Sequence, residues 1–335
     1  MANFLVHKLK IWLIIFIATV SVCLLSLMGF GGHFWWIFDL TSHFRVQYCV
    51  ILTTFALLFL VGRKYWQTAF AGAFSLLNFF LIVPLSFGGT MVVPEKVSVR
   101  VLKINLQDDN TAHGKVQSLI RETASDILLL EEYDKVWREQ LEGVLNDYPF
   151  SIVSSRNDGW GIGLFSRIPL QTAEVGLIGT SSTPFVEGSM IVEGQSVTLL
   201  GSHIQAPVTD VLANTRNIQL AELSGIVRKI KKPVMLLGDL NISLWSPHFA
   251  DFIETTGLKD TRRGLGLRPT WPTHFSPLLI PIDHCLTSPT VILHSLRLGP
   301  DIGSDHYPLI VDFSISPPSP SVLRATRFLG LRTTL

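Results

Sequence analysis

The sequence predicts an α/β or α+β sandwich domain preceded by three membrane-spanning helices. Three apolar stretches dominate the start of the 335-residue chain, and from Val97 onward short apolar strand patterns alternate with amphipathic helix patterns. Charge follows the same division, because only six of the 27 Lys/Arg and two of the 26 Asp/Glu lie in residues 1–96. The length suits one domain of about 200 to 250 residues and a membrane region.

The apolar stretches are long enough to span a bilayer, which takes about 20 mostly apolar residues. They lie at about residues 11–30, 46–62 and 66–87. The second is short, but Arg45 and Arg63 at its ends can extend their charged groups to the interface. The first is too long for a cleaved signal peptide, and two further spans follow it. We therefore assign residues 1–96 to a membrane region and expect the lipid bilayer as a partner.

Basic residues in the short flanking segments predict the orientation. Lys8 and Lys10 precede the first span, and Arg63 and Lys64 separate the second from the third. Lys and Arg concentrate on the cytoplasmic side of a membrane. The N-terminus is therefore expected in the cytoplasm and the domain after the third span outside it.

Residues 97–315 are predicted to form the folded catalytic domain. Residues 316–335 begin with a Pro/Ser-rich stretch and then become basic, and they are predicted to form a flexible tail. Strands are predicted near 97–101, 126–131, 150–154, 161–166, 189–193, 196–202, 233–238, 281–287 and 308–313. Helices are predicted at 116–122, 135–145, 215–230 and 247–256.

Residues 97–335 carry 21 basic and 24 acidic side chains, which argues against a surface that binds long nucleic acid. No protein partner can be inferred.

Polar residues follow the apolar strands, at the positions where α/β sheets place their functional groups. They are Asn105, Glu131, Glu132, His203, Asp239, Asn241, Asp283, Asp305 and His306. Taken singly, such residues usually cap helices or close turns. Their order along the chain is the informative feature.

The series VLKIN, LLLEE, SH, GDLN, IDH and SDHYP, together with GIGLFSRIPL, resembles the endonuclease/exonuclease/phosphatase superfamily over about residues 98–314. Within this series, GDLN and SDHYP at this spacing are the motifs most specific to the superfamily. The resemblance is closest to bacterial members with an N-terminal membrane region. It implies a four-layer α/β (α+β) sandwich of two central β-sheets flanked by helices. It also implies an inner membrane of bacterial type, and the Lys/Arg distribution described above predicts that the catalytic domain is periplasmic or otherwise extracytoplasmic.

The same resemblance implies a metal site for Mg²⁺ or Mn²⁺, hard cations that prefer oxygen ligands. Glu132 is the expected ligand, with Asn105 helping and Asp305 completing the metal or water network. The family pattern commonly has Gln before this Glu, whereas Glu131 precedes it here. Strand alternation does not settle which glutamate faces the metal, so Glu132 rests on the motif alignment.

The other residues match groups that act on water and phosphate. Asp239 would orient or deprotonate the attacking water, and Asn241, expected to point the same way on an extended segment, would hold the phosphate or that water. His306 would contact the phosphate as an imidazolium oriented by Asp283. His203 matches a second family histidine near the leaving group, with a hydrogen-bonded structural histidine as the alternative.

The sequence therefore predicts a membrane-anchored, metal-dependent phosphoesterase that hydrolyses phosphate mono- or diesters with water. Its substrate remains open among nucleic acid, a phospholipid head group and a small phosphorylated metabolite. A nuclease and a phospholipid or sphingomyelin phosphodiesterase are alternatives within this class. A non-catalytic, membrane-tethered binding domain is the alternative outside it, although none of the essential groups is missing. The spans contain no acid or base that would mark a transport path.

Overall fold

The computed structural model describes residues 2–87, 99–179, 182–231 and 233–316. The predicted tail lies outside the described residues except for Ser316.

Four helices form the N-terminal region. They are α1 (Ala2–Met28), α2 (Trp36–Ser42), α3 (Arg45–Val61) and α4 (Tyr65–Ile82). Within the described residues, the segments Lys10–Gly31 and Tyr65–Leu85 are long and apolar enough to cross a membrane. The 17-residue α3 passes the same test only together with α2, from which it is bent by 67°. The apolar helices are thus present, and they provide two spans, or three if the bent pair counts as one.

Arg45, at the start of α3, contacts other residues of the N-terminal helices. Its side chain is buried, its Nη1 donates to Ser26 O over 2.6 Å, and its guanidinium lies 4.4 Å from the centre of the Phe30 ring. Ser26 lies in the last turn of α1, where carbonyl groups lack helical partners and the helix dipole favours a cation. The arginine therefore joins α1 to α3.

The first sheet contains six strands. They are β1 (Val99–Asn105), β2 (Ile127–Glu131), β3 (Phe150–Ser154), β4 (Ile162–Ser166), β11 (Val291–Leu298) and β12 (Leu309–Ile315). Their order is β11-β12-β1-β2-β4-β3. The central strands β1 and β2 are parallel, with Asn105 opposite Glu131, so both of these strands end at the same edge.

The second sheet also contains six strands. They are β5 (Leu170–Ile178), β6 (Thr183–Val192), β7 (Gln195–Ser202), β8 (Val234–Asp239), β9 (Lys259–Asp260) and β10 (Asp283–Thr287). Their order is β5-β6-β7-β8-β10-β9. β7 and β8 are parallel, whereas β8 and β10 are antiparallel with Asp239 opposite Asp283.

Helices cover the outer face of each sheet, which confirms the predicted four-layer sandwich. The helices of the domain are α5 (His113–Thr123), α6 (Lys135–Leu145), α7 (Asp210–Lys229) and α8 (Pro247–Thr256). Alternation along β1 directs Val99 and Val101 into the core between the sheets, and Leu102 and Ile104 into the core beneath α5 and α6. A third apolar core joins the second sheet to α7 and α8.

Sequence analysis missed the edge strands β5, β9 and β11. β5 is exposed along most of its length, and β9 has only two residues. β11 is mostly apolar, but its register shifts between Leu293 and Ser295, which interrupts the alternation that identifies a half-buried strand. Helix α7 also begins at Asp210, five residues before its predicted start.

Buried polar contacts join the N-terminal helices to the domain. Asp39 of α2 accepts hydrogen bonds from Arg216 Nη2 and from Ser246 Oγ, each over 2.5 Å, and all three residues are buried. His43 Nδ1 lies 2.8 Å from Ser243 Oγ. Because a buried charge is costly without its partner, these contacts fix the position of α2 against the domain.

Candidate active site

The polar residues singled out in the sequence gather at one end of the sandwich. Asn105, Glu131 and Asp239 end their strands, whereas Asp283 begins β10 and His306 precedes β12. The expectation that all of them follow strands is therefore wrong for the last two. They reach the same end because β10 and β12 run antiparallel to β8 and β1.

The centre of the site consists of Asp239, Asp283 and His306. All three are buried, and their potential ligand atoms lie within 4.8 Å of one another. His306 Nδ1 is 2.9 Å from Asp283 Oδ2, while its Nε2 is 3.5 Å from Asp239 Oδ2. Asp283 thus orients the ring, and Nε2 faces the middle of the site.

The two carboxylates change the protonation of His306. Burial by itself would lower its pKa, but the charges of Asp283 and Asp239 outweigh that effect and raise the pKa to about 9. For Asp283, burial favours the neutral acid, but Lys103 and His306 hold the pKa below its usual range. At neutral pH the pair is therefore an imidazolium beside a carboxylate.

Lys103 is the main component that the sequence analysis missed. It lies on β1, fully buried, and its Nζ contacts both Asp283 Oδ1 and Glu131 Oε2, the latter at 2.5 Å. Burial opposes its charge, but the surrounding carboxylates raise its pKa above the ordinary value. One signal was available: Lys103 occupies the strand face that carries Val99 and Val101, where an apolar residue is expected.

The adjacent glutamates have different surroundings. Glu131 continues the inward face of β2, and its Oε1 accepts a hydrogen bond from Asp239 N over 2.9 Å. Burial raises its pKa to about 7, against the opposing charge of Lys103. Glu132 is half-buried, and its φ of 55° turns the chain out of the strand. That turn explains why alternation failed to predict where Glu132 points.

Asp239 and Asn241 lie together through a turn, and the predicted extended segment is wrong. Asn241 has φ of 48°, its N donates to Asp239 Oδ1 over 2.8 Å, and its Nδ2 is 3.3 Å from Asp239 Oδ2. Asn tolerates this left-handed conformation better than most residues. Burial and the nearby Asp283 raise the pKa of Asp239 well above its usual value, which makes it a stronger proton acceptor than an exposed carboxylate.

His203 lies on the opposite side of Asp239 from Asp283, with its Nε2 3.9 Å from Asp239 Oδ2. That separation is too long for a hydrogen bond. Its ring packs 5.0 Å from the centre of the Trp160 ring. Burial, followed by the charges of Lys103 and His306, lowers its pKa to about 3. His203 is therefore neutral, in contrast to His306.

Asp305 occupies the rim near Asn105 and Glu132. Its Oδ2 accepts a hydrogen bond from Trp271 Nε1 over 2.9 Å, and its backbone N donates to Gln107 Oε1 over 2.7 Å. Trp271 and Gln107 were not among the predicted site residues. Their side chains are polar partners that only the folded chain brings to Asp305.

Glu132, Asn105 and Asp305 fit a hard divalent cation. They offer two carboxylates and one amide, and such oxygen donors suit Mg²⁺ or Mn²⁺. Burial raises the pKa of Glu132, with Asp305 adding to the effect, so a cation would relieve two neighbouring negative charges. Asn105 Oδ1 accepts a hydrogen bond from Gln107 N over 3.1 Å and has a second lone pair with which to bind a cation. The cluster of Asp239, Asp283 and His306 fits a cation less well. Lys103 and His306 already contact both oxygens of Asp283, so that carboxylate has no oxygen left for a cation.

Replacing Lys103 tests whether it holds the buried carboxylates together. Lys103→Met leaves Glu131 and Asp283 without their cation, a change that costs about 3–5 kcal/mol in buried pairs. For a domain of this size we expect Tm to fall by on the order of 10 °C. Thermal unfolding of the full chain in detergent measures the change.

The matched control is Lys135→Met, which removes a lysine whose side chain is 75% exposed on α6. Its Tm should stay close to that of the parent, as for most surface substitutions. Equal melting temperatures for Lys103→Met and Lys135→Met would contradict the structural role of Lys103.

Comparison with solved structures places this fold among known proteins. D. rerio TDP2 complexed with a single-strand DNA product has a TM-score of 0.54 and 19% identity, over 64% of this chain and 98% of that chain. An endonuclease/exonuclease/phosphatase from Bacteroides vulgatus has a TM-score of 0.54 and 19% identity, over 66% and 100%. The human Nocturnin catalytic domain with bound sulfate has a TM-score of 0.53 and 18% identity, over 65% and 94%. These similarities show a shared fold.

Sequence comparison gives the family. No curated protein matches the chain in sequence. A model described as the "Endonuclease/Exonuclease/phosphatase family" matches residues 99–306, which is more than half of the chain. The members of this family are metal-dependent phosphoesterases and nucleases. The chain belongs to the endonuclease/exonuclease/phosphatase family.

Proposed function

We propose that this protein is a membrane-anchored, divalent-metal-dependent phosphoesterase that hydrolyses phosphate mono- or diesters by attack of water. The observation that carries the proposal is the buried cluster of Asp239, Asp283 and His306, with ligand atoms within 4.8 Å of one another. A purely structural cluster has little reason to bury an imidazolium between two carboxylates, since buried charges are costly. In the proposed site, the positive charge of the His306 imidazolium pairs with an anionic phosphate group of the substrate.

Each group has a task in the proposed reaction. Asp239, with its raised pKa, orients the water and accepts its proton, while the Asn241 amide holds the water or a phosphate oxygen. His306 donates a hydrogen bond from Nε2 to the phosphate as negative charge develops. Asp283 acts through His306 by holding Nδ1. His203, being neutral, is assigned to hydrogen bonding near the leaving oxygen.

The metal site proposed is Glu132, Asn105 and Asp305. A bound Mg²⁺ or Mn²⁺ would neutralise phosphate charge and polarise the phosphorus–oxygen bonds. The half-buried position of Glu132 at the rim supports access by a cation together with its waters. Glu131 is not assigned to the metal, because Lys103 and Asp239 N occupy its oxygens.

Among substrates, a nucleic acid remains a candidate because the similar D. rerio TDP2 was solved with a single-strand DNA product. Phospholipids and small phosphorylated metabolites are the others. A non-catalytic, membrane-tethered binding domain is the competing function. The complete set of polar groups at the site favours catalysis over that alternative.

We further propose that the chain resides in a bacterial-type inner membrane through three spans, with its N-terminus cytoplasmic and its domain extracytoplasmic. The contacts of α2 and the outer end of α4 with the domain support one arrangement, in which the first loop and the domain share a side. The assignment of that side to the exterior of the cytoplasm depends on Lys8, Lys10, Arg63 and Lys64, which are expected on the cytoplasmic side.

Replacing Glu132 tests the metal site. Glu132→Gln removes one of the two ligand charges, so we expect the affinity for Mg²⁺ to fall about tenfold or more, while EDTA abolishes hydrolysis by the parent. Glu131→Gln should weaken Mg²⁺ binding less, because its oxygens are already engaged. Calorimetric titration of the full chain in detergent gives both affinities, with the 66%-exposed Glu139→Gln as control. An unchanged affinity in Glu132→Gln would show that the metal binds elsewhere.

Replacing His306 and Asp283 tests the catalytic pair. Asp283→Asn and His306→Ala should each lower kcat by on the order of 10²-fold, the scale for losing one group that stabilises a transition state. Because the two act as one unit, the double mutant should be little worse than the worse single mutant. Steady-state kinetics, with circular dichroism to verify folding, measure this. Fully additive losses in activation free energy would refute the pairing.

The pH profile gives an independent check of the same pair. The pKa of His306 is raised to about 9, so the charged form persists through neutral pH and is lost only as pH rises through that value. In the parent, kcat/KM should decline above about pH 9. Asp283→Asn should move this decline toward about pH 6.5, the ordinary histidine value. An unmoved decline would argue against Asp283 as the group that keeps His306 protonated.

A reporter fusion tests the orientation. Alkaline phosphatase fused after Phe313 should be active, since it needs an extracytoplasmic location, whereas a cytoplasmic fluorescent reporter at the same point should be dark. Fusions after Arg63 should give the opposite pattern. An inactive phosphatase together with a bright reporter after Phe313 would overturn the proposed orientation.

A further inference from the structure

The domain contacts the ends of the N-terminal helices through segments that flank the active site. Trp245 Nε1 donates to Leu81 O over 3.1 Å, and the backbone N–H groups of Gly264 and Gly266 donate to Leu85 O over 2.8 and 2.9 Å. Leu81 lies in the last turn of α4. The Trp245 indole therefore contacts the C-terminal turn of α4.

A second segment reaches the same level beside α3. Gln47 Nε2 donates to Pro277 O over 3.2 Å and to Leu279 O over 3.0 Å. Gln47 lies in the first turn of α3, which begins at Arg45. Two separate loops of the domain thus lie at the depth of the helix ends, where a bilayer would place its head groups.

These loops lie close in sequence to catalytic groups. Trp245, which contacts Leu81, follows Asn241 by four residues, and Leu279, which contacts Gln47, precedes Asp283 by four. An extended chain spans at most about 3.6 Å per residue, so each separation is at most about 14 Å. The proposed catalytic residues are therefore within about 14 Å of segments that contact the helix ends.

Exposed apolar side chains surround this junction. Phe275 is 50% exposed and Leu278 44% exposed, on either side of the Pro277 carbonyl that binds Gln47. Phe34 is 88% exposed and Trp35 48% exposed, in the loop that follows the first span. Isolated exposed apolar residues are common, but these lie where helices would leave a membrane. Aromatic residues are favoured at that interface.

The contact of α2 with the domain prevents the domain from turning away from the helices. The buried Asp39–Arg216 ion pair and the Asp39–Ser246 hydrogen bond hold the loop that follows Asn241. A flexible tether would only raise local concentration. This docking instead fixes one orientation of the domain, with the loops next to Asn241 and Asp283 beside the helix ends.

We propose that the substrate is a phospholipid of the surrounding bilayer, hydrolysed at its head-group phosphodiester. The proposal rests on the proposed function and names its substrate class. Water adds across one phosphorus–oxygen bond: the water oxygen bonds to phosphorus, the leaving oxygen takes a proton, and an alcohol and a phosphate monoester result. Phe275 and Leu278 insert beside the lipid. The excess of acidic over basic side chains in residues 97–335 argues against long nucleic acid as the substrate.

The test uses the full chain in nanodiscs of phosphatidylethanolamine and phosphatidylglycerol with Mg²⁺. Release of head-group product is compared with hydrolysis of soluble bis(p-nitrophenyl) phosphate and of a single-stranded oligonucleotide in the same preparation. We expect phospholipid hydrolysis that EDTA stops and that exceeds oligonucleotide cleavage. In Phe275→Ser/Leu278→Ser, the ratio of phospholipid to soluble-diester hydrolysis should fall at least about tenfold, since two apolar anchors are lost.

The matched control is Val136→Ser on α6, a residue 51% exposed on the flank of the other sheet; it should leave that ratio unchanged. Cleavage of the soluble diester without cleavage of phospholipid would overturn the lipid substrate and leave the proposed function standing. Preferential cleavage of the oligonucleotide would also overturn the lipid substrate, and it would identify the protein as a nuclease within the proposed function. No hydrolysis of any substrate would overturn the proposed function itself. An unchanged ratio in the double variant would refute the role of Phe275 and Leu278.

Discussion

The arrangement of the site depends on one buried lysine. Lys103 belongs to β1 of the first sheet, and it contacts Glu131 of the same sheet and Asp283 of the second. Glu131 in turn accepts a hydrogen bond from Asp239 N of the second sheet. These contacts cross the core between the sheets, so the ends of β1, β2, β8 and β10 at the candidate site are held together by charge as well as by apolar packing. Burial makes the loss of any partner costly.

The same ion network separates the two histidines. Both rings are buried, which by itself favours the neutral form. His306 is 2.9 Å from Asp283, and its pKa rises to about 9, whereas the nearest carboxylate to His203 is 3.9 Å away and its pKa falls to about 3. One site thus contains a charged and a neutral imidazole on either side of Asp239. In the proposed reaction, the charged ring would face the phosphate and the neutral ring the leaving oxygen.

The N-terminal helices are part of the same construction. They reach the domain through α2 and through the ends of α3 and α4, and the loops they touch lead directly into Asn241 and Asp283. In many proteins a membrane anchor contributes only proximity. Here the Asp39–Arg216 pair is as deeply buried as Asp239 and Asp283, so the N-terminal helices and the candidate site form one packed unit within the described residues.

The sequence by itself determined the class of the fold, the apolar helices, most central strands and the positions of the polar groups along the chain. These depend on local periodicity and motif order, which survive without a structure. The edge strands, the turn at Asn241, the division of labour between Glu131 and Glu132, and the partners of Lys103 and Arg45 were decided only by the tertiary structure. Each depends on which distant residue lies opposite, or on a left-handed residue that ends the alternation of a strand. Pairing across the two sheets joins residues 180 positions apart, such as Lys103 and Asp283, and no local pattern encodes such a distance.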